Sequence, residues 1–291
     1  MTTGDTTPKA ESQAALDAIG ARALLDWYRM AGVDAAVDDA PIAAWSLDPA
    51  TSSMPVTPSP SRLPAPVRHP VPAIGEQAPS LLVPEGRRIG HARDVAARCG
   101  TLAELKAALA EFDGCALKAT AKQVCFADGN PEAQLMVIGE APGAEEDRQG
   151  KPFVGPSGQF LDRILAEIGI DRTRAWITNV IFWRPPGNRP PTDGEIAVCQ
   201  PFLERQIELL APRFILFVGG IAAKALLGKT EGVTKLRGRP FIYTSSDGCE
   251  IPCLVTFHPA YLLRQPLNKR FVWRDMLQLR ARLDELEVAC G

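Results

Sequence analysis

Three polar residues, Glu140, Asn179 and His258, lie at or near the ends of apolar segments that are far apart in the chain. A carboxylate, a carboxamide and an imidazole together offer acid–base and hydrogen-bonding chemistry. In an open parallel sheet, the ligand site forms in the crevice outside the carboxyl ends of the strands. We therefore predict that the three side chains converge at one edge of a sheet and form the polar crevice of an enzyme.

The loop that begins at Glu140 carries four carboxylates, those of Glu140, Glu145, Glu146 and Asp147. The sequence GEAPG, which starts at Gly139, predicts a rigid turn that aims Glu140 into the crevice. The alternative is an ordinary solvated acidic loop. The segment matches neither the Gly-x-Gly-x-x-Gly fingerprint nor a Walker loop, which disfavours a nucleotide-phosphate site.

His258 is one of three histidines in the chain, and it stands between an apolar run and a proline. A lone histidine is more often structural than catalytic, but its position at a strand end favours a functional role. Beyond it, the apolar side chains of Tyr261, Leu262 and Leu263 precede Arg264. Apolar residues beside a cation are typical of a wedge that enters a nucleic-acid groove. The spacing is equally consistent with leucines that pack into the core.

Apolar runs and helical patterns alternate from about residue 91 onward. The helical patterns include two capping boxes, Thr101-x-x-Glu104 and Thr192-x-x-Glu195, whose side chains satisfy free backbone N–H groups. Apolar strands that alternate with helices predict a mostly parallel sheet covered on both faces. We therefore expect an α/β fold, a three-layer α/β/α sandwich, with strands over 134–139, 175–182, 213–220 and 252–257.

Before this region, the chain has a different character. Residues 11–31 form an amphipathic pattern that predicts a helix within an N-terminal segment, 1–40. Residues 41–84 contain eleven prolines, which predict an extended or disordered linker over 41–90. A proline-rich ligand for a partner domain is the alternative. The catalytic domain is predicted to span 91–291.

The composition of the chain limits the class of protein to which it can belong. The 291 residues are 46% apolar and 23% charged, which excludes global disorder. The net charge is −2, so any contact with nucleic acid must come from a local patch. The chain has no apolar run that could span a membrane and no secretory signal, so we expect a cytoplasmic protein. Seven cysteines without a C-x-x-C pair favour reduced thiols.

Three long segments closely resemble the family 4 uracil-DNA glycosylases. They are GEAPGAEEDRQGKPFVGPSGQFLDRIL, ITNVIFWRPPGNRPPTDGEIAVC and HPAYLLRQP, which occur in the family's order. The resemblance covers about residues 112–285. It implies a uracil-DNA glycosylase-like fold and an enzyme that flips uracil out of DNA and hydrolyses its N-glycosidic bond, leaving an abasic site.

The resemblance also implies roles for single residues. Phe153 would stack on the flipped uracil, and Asn179 would read its polar edge. His258 would donate a hydrogen bond to a uracil oxygen, and Glu140 would orient or activate water. Further substrate-binding positions are Ala141, Gly143, Glu146 and Asp147, of which Glu146 and Asp147 would also support the acidic loop. The DNA-binding positions are Leu262, Arg264 and Arg189.

One of these positions limits the expected selectivity. Gly143 stands where the best-known uracil glycosylases place a tyrosine that excludes thymine. Exclusion of thymine must therefore rest on another feature of this protein.

The sequence departs from the family at its iron–sulfur site. Family members hold a 4Fe-4S cluster with four cysteines, but here the four positions are Phe112, Cys115, Trp183 and Cys199. Phenylalanine and tryptophan cannot ligate iron, and Cys125 would supply only a third thiol. We therefore expect no metal and no cofactor, with Cys115 and Cys199 as residual cluster positions.

Two other functions stay open at this point. One is a glycosylase for another deaminated base, such as hypoxanthine or xanthine. The other is a glycosylase-fold module that binds DNA without catalysis, against which the intact Glu140, Asn179 and His258 argue. The expected partner is uracil-containing DNA. We expect a monomer with no obligate protein partner and no membrane association.

Overall fold

The computed structural model describes residues 84–288, with side chains up to residue 286. The predicted helix over 11–31 and the predicted linker up to residue 83 lie outside the described residues. Within the described part of the chain, no helix combines the length and the apolar character that crossing a bilayer requires.

A six-stranded sheet forms the centre of the described residues. Its strands are β1 (Asp128–Gly129), β2 (Leu135–Gly139), β3 (Ala175–Asn179), β4 (Phe214–Val218), β5 (Pro240–Thr244) and β6 (Glu250–Thr256). The spatial order is β1-β3-β2-β4-β6-β5. The four inner strands are parallel, whereas the edge strands β1 and β5 pair antiparallel with β3 and β6. The predicted, mostly parallel sheet is confirmed.

Helices cover both faces of this sheet. They are α1 (Glu85–Ala97), α2 (Leu102–Glu111), α3 (Ala144–Gln149), α4 (Pro156–Ala166), α5 (Asp193–Leu210), α6 (Gly220–Leu227), α7 (Val233–Leu236), α8 (Pro259–Arg264) and α9 (Lys269–Val288). Short 3-10 turns lie at Ala116–Ala119, Pro186–Asn188 and Pro266–Asn268.

Alternation along the strands creates two separate apolar cores. In β2, Met136 and Ile138 face a core that includes buried residues of α1, α2, α5 and α6. Leu135 and Val137 face the opposite core, which includes buried residues of α4, α8 and α9. Successive side chains of a strand point to opposite faces, so inner strands buried on both sides read as continuous apolar runs. This arrangement is the predicted α/β/α sandwich.

The domain begins earlier than the sequence predicts. Helix α1 starts at Glu85, inside the predicted linker 41–90 and six residues before the predicted boundary at residue 91. It contributes only two small buried residues, Ala92 and Ala96, and it packs against α5. Because the buried face of α1 is so small, its sequence shows almost no apolar periodicity, which explains why the predicted domain boundary falls at residue 91.

Both predicted N-caps are present. The Thr192 hydroxyl accepts from the Glu195 N–H, and the Glu195 carboxylate accepts from the Thr192 N–H. The Thr101 hydroxyl accepts from the Glu104 N–H, but the Glu104 carboxylate accepts from Gly100 rather than from Thr101. A capped helix start at Thr101 therefore separates α1 from α2, as the capping-box sequence at Thr101 predicts.

Candidate active site

The sheet brings Glu140, Asn179 and His258 together, as the sequence predicts. Gly139 and Asn179 are register partners at the carboxyl ends of β2 and β3. His258 follows β6 and is the N-cap of α8. All three side chains line one cavity of about 480 Å³. Its other lining residues are Ala141, Pro142, Gly143, Glu146, Phe153, Ser157, Pro185, Asn188, Arg189, Pro190, Ala260, Tyr261 and Arg264.

Gly139 determines how closely the cavity walls approach each other. A Cβ atom on Gly139 would lie 2.3 Å from Cζ of Phe153 and 2.5 Å from Oδ1 of Asn179. Any side chain there would displace either the aromatic ring or the amide. The sequence marks this glycine only as a strand end, and its role becomes visible once β2 and β3 are placed in register.

Asn179 presents an unpaired acceptor in the cavity. Its side chain is buried, and Oδ1 has no hydrogen-bond partner among the residues that the structure describes. Buried polar atoms are normally paired, so an orphan acceptor that lines a cavity indicates a ligand with a matching N–H donor.

His258 is a neutral hydrogen-bond donor. Its Nδ1 accepts from the Ala260 N–H at 3.2 Å, which leaves the ring proton on Nε2. The pKa of His258 is lowered to about 4, mainly by burial and also by the charge of Arg264, while Glu146 opposes the shift. At neutral pH the imidazole is therefore uncharged and donates through Nε2.

Phe153 forms the flat apolar wall of the cavity. Its ring centroid lies 5.7 Å from that of His258, and the two planes are inclined by 30°. The side chain is buried, and the backbone has a φ of 54°, in the left-handed region. Such strain in a residue other than glycine is typical of functional sites.

Glu140 and Glu146 play different roles in the acidic loop. Glu140 is half-buried, and burial raises its pKa. Within residues 84–286 it has no ion-pair partner, so its carboxylate is available to a ligand or to water. Glu146 also lines the cavity, but its carboxylate accepts from the N–H groups of Gly143, Val154 and Gly155, at 3.1, 3.0 and 2.8 Å. Glu146 therefore joins the loop at Gly143 to the loop that follows Phe153.

Asp147 does not line the cavity, which corrects its assignment as a substrate-binding residue. Its side chain is buried, and the carboxylate accepts from the backbone N–H groups of Lys122 and Gln123, at 2.7 and 3.3 Å. These bonds anchor α3 to the preceding segment, so Asp147 supports the loop.

Ala141 and Gly143 both line the cavity. A Cβ atom on Gly143 would lie 2.7 Å from Oε2 of Glu146. Because Glu146 is held by backbone donors on another loop, a larger residue at this position would displace it. A tyrosine at position 143 would therefore fit only if the Glu146 carboxylate moved.

Two of the predicted DNA-binding residues lie at the rim of the cavity. Arg264 and Arg189 both line the cavity. The Arg189 guanidinium is bound by the carboxylate of Glu195 at 2.6 and 2.9 Å, whereas Arg264 is exposed and has no ion-pair partner within the described residues. Arg264 is therefore the cation at the rim that is free to contact a phosphate.

Leu262 does not reach the surface, which corrects its assignment as a DNA-binding residue. Its side chain is completely buried and belongs to the core beneath α8 and α9. The helical period of α8 turns Leu262 inward and leaves Leu263 outward, 47% exposed. Leu267, on the next turn, is 84% exposed, and Asn268 beside it donates to the Tyr261 hydroxyl at 3.0 Å. An exposed leucine is thus held next to the cavity wall.

The four positions that correspond to the family's cluster ligands do not fit an iron–sulfur group. The Phe112 ring packs edge-on against Phe202, with centroids 5.0 Å apart. It also covers Gly114, where a Cβ atom would lie 2.3 Å from Cζ of Phe112. Trp183 is buried against Phe182 with perpendicular rings. Two aromatic side chains and two thiols are not a donor set that can hold iron.

Cys125 does not complete this set. Its thiol donates to the carbonyl of Glu146 at 3.1 Å, and burial beside Asp147 and Glu146 raises its pKa to about 12. Even with Cys125, the three thiols fall short of the four that such a cluster needs. Among the residues that the structure describes, no three histidine, cysteine, aspartate or glutamate side chains form a group that could bind a metal.

A family model matches the part of the chain that contains this cavity. The model of the uracil DNA glycosylase superfamily matches residues 126–277, which include the cavity-lining residues described above. The chain belongs to this superfamily. The resemblance inferred from the three sequence segments is thereby confirmed.

Three similar proteins in this superfamily carry the name type-4 uracil-DNA glycosylase. The protein from Sulfurisphaera tokodaii is 37% identical over 53% of this chain and 71% of its own length. The one from Pyrobaculum aerophilum is 37% identical over 60% of this chain and 91% of its own. The one from Thermotoga maritima is 39% identical over 56% of this chain and 84% of its own.

Proposed function

We propose that the protein removes uracil from DNA by hydrolysing the bond between the base and deoxyribose. The observation that carries the proposal is the cavity lined by an orphan acceptor on Asn179, a neutral donor on His258 and the Phe153 ring. A base inside a duplex cannot reach such a cavity, so the target nucleotide must first flip out of the stack.

Uracil matches the polar groups of the cavity. Its N3–H donates to Oδ1 of Asn179, which otherwise has no partner, and the amide nitrogen of Asn179 donates to O4. Cytosine presents an acceptor at N3 and an amino group at position 4, so both contacts would be reversed. A buried site built to bind one edge rejects the other because its polar groups would stay unpaired. The Phe153 ring stacks on the base.

Bond cleavage leaves negative charge on uracil and positive charge on the sugar. His258 Nε2 donates to O2 of uracil, where the negative charge grows, and stabilises the transition state as an oxyanion donor does. The Glu140 carboxylate orients the attacking water, and its charge favours the cationic sugar. Uracil is a tolerable leaving anion, so the reaction requires no cofactor.

Excision assays with four matched oligonucleotides, followed by alkaline cleavage of abasic sites, test this proposal. The oligonucleotides carry uracil, thymine, hypoxanthine or no lesion at one position. Strand cleavage at uracil is the expected result. Cleavage at hypoxanthine but not at uracil would contradict the proposal in favour of another deaminated base. Absence of product from every lesion would instead favour a DNA-binding module without catalysis.

DNA contact at the cavity rim gives a testable salt dependence. Arg264→Ala should flatten the slope of log K against log salt concentration by about one unit, because one phosphate contact and its released counterion are lost. Arg98→Ala removes an exposed arginine at the end of α1 and should leave the slope unchanged. Equal slopes for Arg264→Ala and wild type would place Arg264 away from the DNA.

Leu267 replaces Leu262 as the candidate for filling the gap left by the flipped base. It is the most exposed leucine near the rim, and the bond between Asn268 and Tyr261 fixes its turn beside the cavity. Apolar side chains of this kind enter partly unstacked base steps.

The protein is also expected to fold and act without iron. Phe112 and Trp183 occupy two of the four ligand positions and are buried there, so apolar packing replaces ligation. Purified protein should be colourless, and chelators should leave its activity intact. Cys115→Ser and Cys199→Ser should have mild effects, since each changes one small buried thiol. Brown protein with stoichiometric iron after anaerobic purification would refute this prediction.

The monomeric state and the cytoplasmic location stay predictions from the sequence.

A further inference from the structure

The stacking wall of the cavity has a backbone that needs external support. Phe153 has a φ of 54°, and such a conformation persists in a residue other than glycine only when its surroundings enforce it. The neighbouring helix α4 approaches very closely, since a Cβ atom on Gly158 would lie 1.9 Å from the carbonyl oxygen of Phe153. The peptide group of Phe153 is thus confined on one side by backbone.

Arg172 confines this peptide group on the other side. It lies between α4 and β3, and its guanidinium donates to the carbonyl oxygens of Phe153 and Pro152. The same guanidinium is bound by Asp128 at 2.7 Å and by Asp162 at 3.0 and 3.3 Å. Two carboxylates from β1 and α4 therefore fix the planar group, which leaves its remaining donors aimed at the two carbonyls.

The Phe153 ring in turn sets the geometry of the cavity. It lies over Gly139 and faces the imidazole of His258 at 5.7 Å. A shift of the Phe153 backbone would move the ring relative to both His258 and the base. Arg172 itself is not among the residues that line the cavity.

We propose that Arg172 is a positioning residue of the base pocket, which holds the strained Phe153 backbone so that its ring meets the base and His258. The proposal rests on the proposed function for the identity of the base. Arg172 acts through two carbonyl bonds and a planar fork. Lysine at this position would keep the charge beside Asp128 and Asp162 but could not satisfy all four partners at once.

A spectroscopic test does not depend on activity. The chain has three histidines, so the ring C–H signals of His258 can be assigned by comparison with His258→Gln. The Phe153 ring current shifts these signals, and Arg172→Ala should move them while the signals of His69 and His91 stay in place. Arg163→Ala, which removes an exposed arginine on α4, should leave all three in place. Unmoved His258 signals in a folded Arg172→Ala variant would overturn the proposal.

A double-mutant cycle tests whether Arg172 affects uracil binding through Phe153. Arg172→Ala should raise the inhibition constant of free uracil roughly 10- to 100-fold, the scale of a misplaced contact. Phe153→Ala should raise it as well, and Arg172→Ala should add nothing in the double variant, because both changes remove one contact. Additive losses, or an unchanged inhibition constant, would show that Arg172 does not act through Phe153.

Two further comparisons separate positioning from general stability. Leu109→Ala, which removes a buried side chain of α2 from the opposite core, should lower the melting temperature but leave the inhibition constant of uracil near the wild-type value, since Arg172 keeps all four of its partners. If Arg172→Ala does not fold, Arg172→Lys is measured in the same way and should show the same shifts to a smaller degree. Wild-type protein that excises no uracil would refute the proposed function, whereas the His258 signals would still decide the role of Arg172.

Discussion

Replacing His258 with alanine is expected to slow uracil excision roughly 10²–10³-fold, the loss that follows removal of one oxyanion donor. The imidazole is neutral, and its Nδ1 is occupied by the Ala260 N–H, so only Nε2 can serve the leaving base. The charge it stabilises appears mainly in the transition state, so the rate of single-turnover excision should fall while binding of uracil-containing DNA changes little.

His91→Ala provides the matched control, because His91 lies on α1 outside the cavity-lining set. It should excise uracil at the wild-type rate. Near-normal excision by His258→Ala would remove His258 from the mechanism, and a parallel loss of DNA affinity would point to a binding role instead.

The pH profile gives an independent check on this assignment. The pKa of His258 is lowered to about 4, so above that pH its protonation costs no activity. Burial raises the pKa of Glu140 above its usual value, so the loss of rate on acidification is expected to follow Glu140. The acid limb should persist in the residual activity of His258→Ala and disappear in Glu140→Gln. An acid limb that vanishes in His258→Ala would reverse the two roles.

Asn179→Asp is expected to lower uracil excision roughly 10²-fold, because a buried carboxylate offers no donor to O4 and its charge lacks a partner. The same change provides an acceptor for the amino group of cytosine, so excision of cytosine is expected to appear. Burial favours the protonated carboxyl, which can both donate and accept, so the uracil activity of this variant relative to wild type at the same pH should rise as the pH falls.

Asn179→Ala shows how much of the effect comes from losing the hydrogen bonds to the base, since this variant adds no charge. It should lose uracil activity without acquiring cytosine activity and without the rise relative to wild type at low pH. The assignment of Asn179 would be wrong if Asn179→Asp left both the uracil and the cytosine activities at their wild-type levels.

The inner framework of the fold could be predicted from the sequence. β2, β3, β4 and β6 are buried on both faces, so each reads as a continuous apolar run. The residues that follow such runs are expected to meet at one sheet edge, which correctly placed Glu140, Asn179 and His258 in one cavity. The resemblance in three segments added the roles of these residues and of Phe153.

The edges of the fold were not predictable in the same way. β1 consists of Asp128 and Gly129 alone, and β5 begins with Pro240 and is mostly exposed. An edge strand pairs on one side and buries little, so its sequence carries neither a long apolar run nor a strict alternation. The start of α1 at Glu85 was missed for a related reason, since only two alanines of that helix are buried.

The buried strands, the order of the motifs and the polar residues at the strand ends can be identified in the sequence, because hydrophobic periodicity and strand polarity are local properties of the chain. Tertiary packing, by contrast, turns Leu262 toward the core and places Gly139 beneath the Phe153 ring. It also decided that Arg172 reaches Phe153, nineteen positions earlier in the chain. Such contacts depend on the packing of separate elements, and no local pattern encodes which carbonyl an arginine will meet.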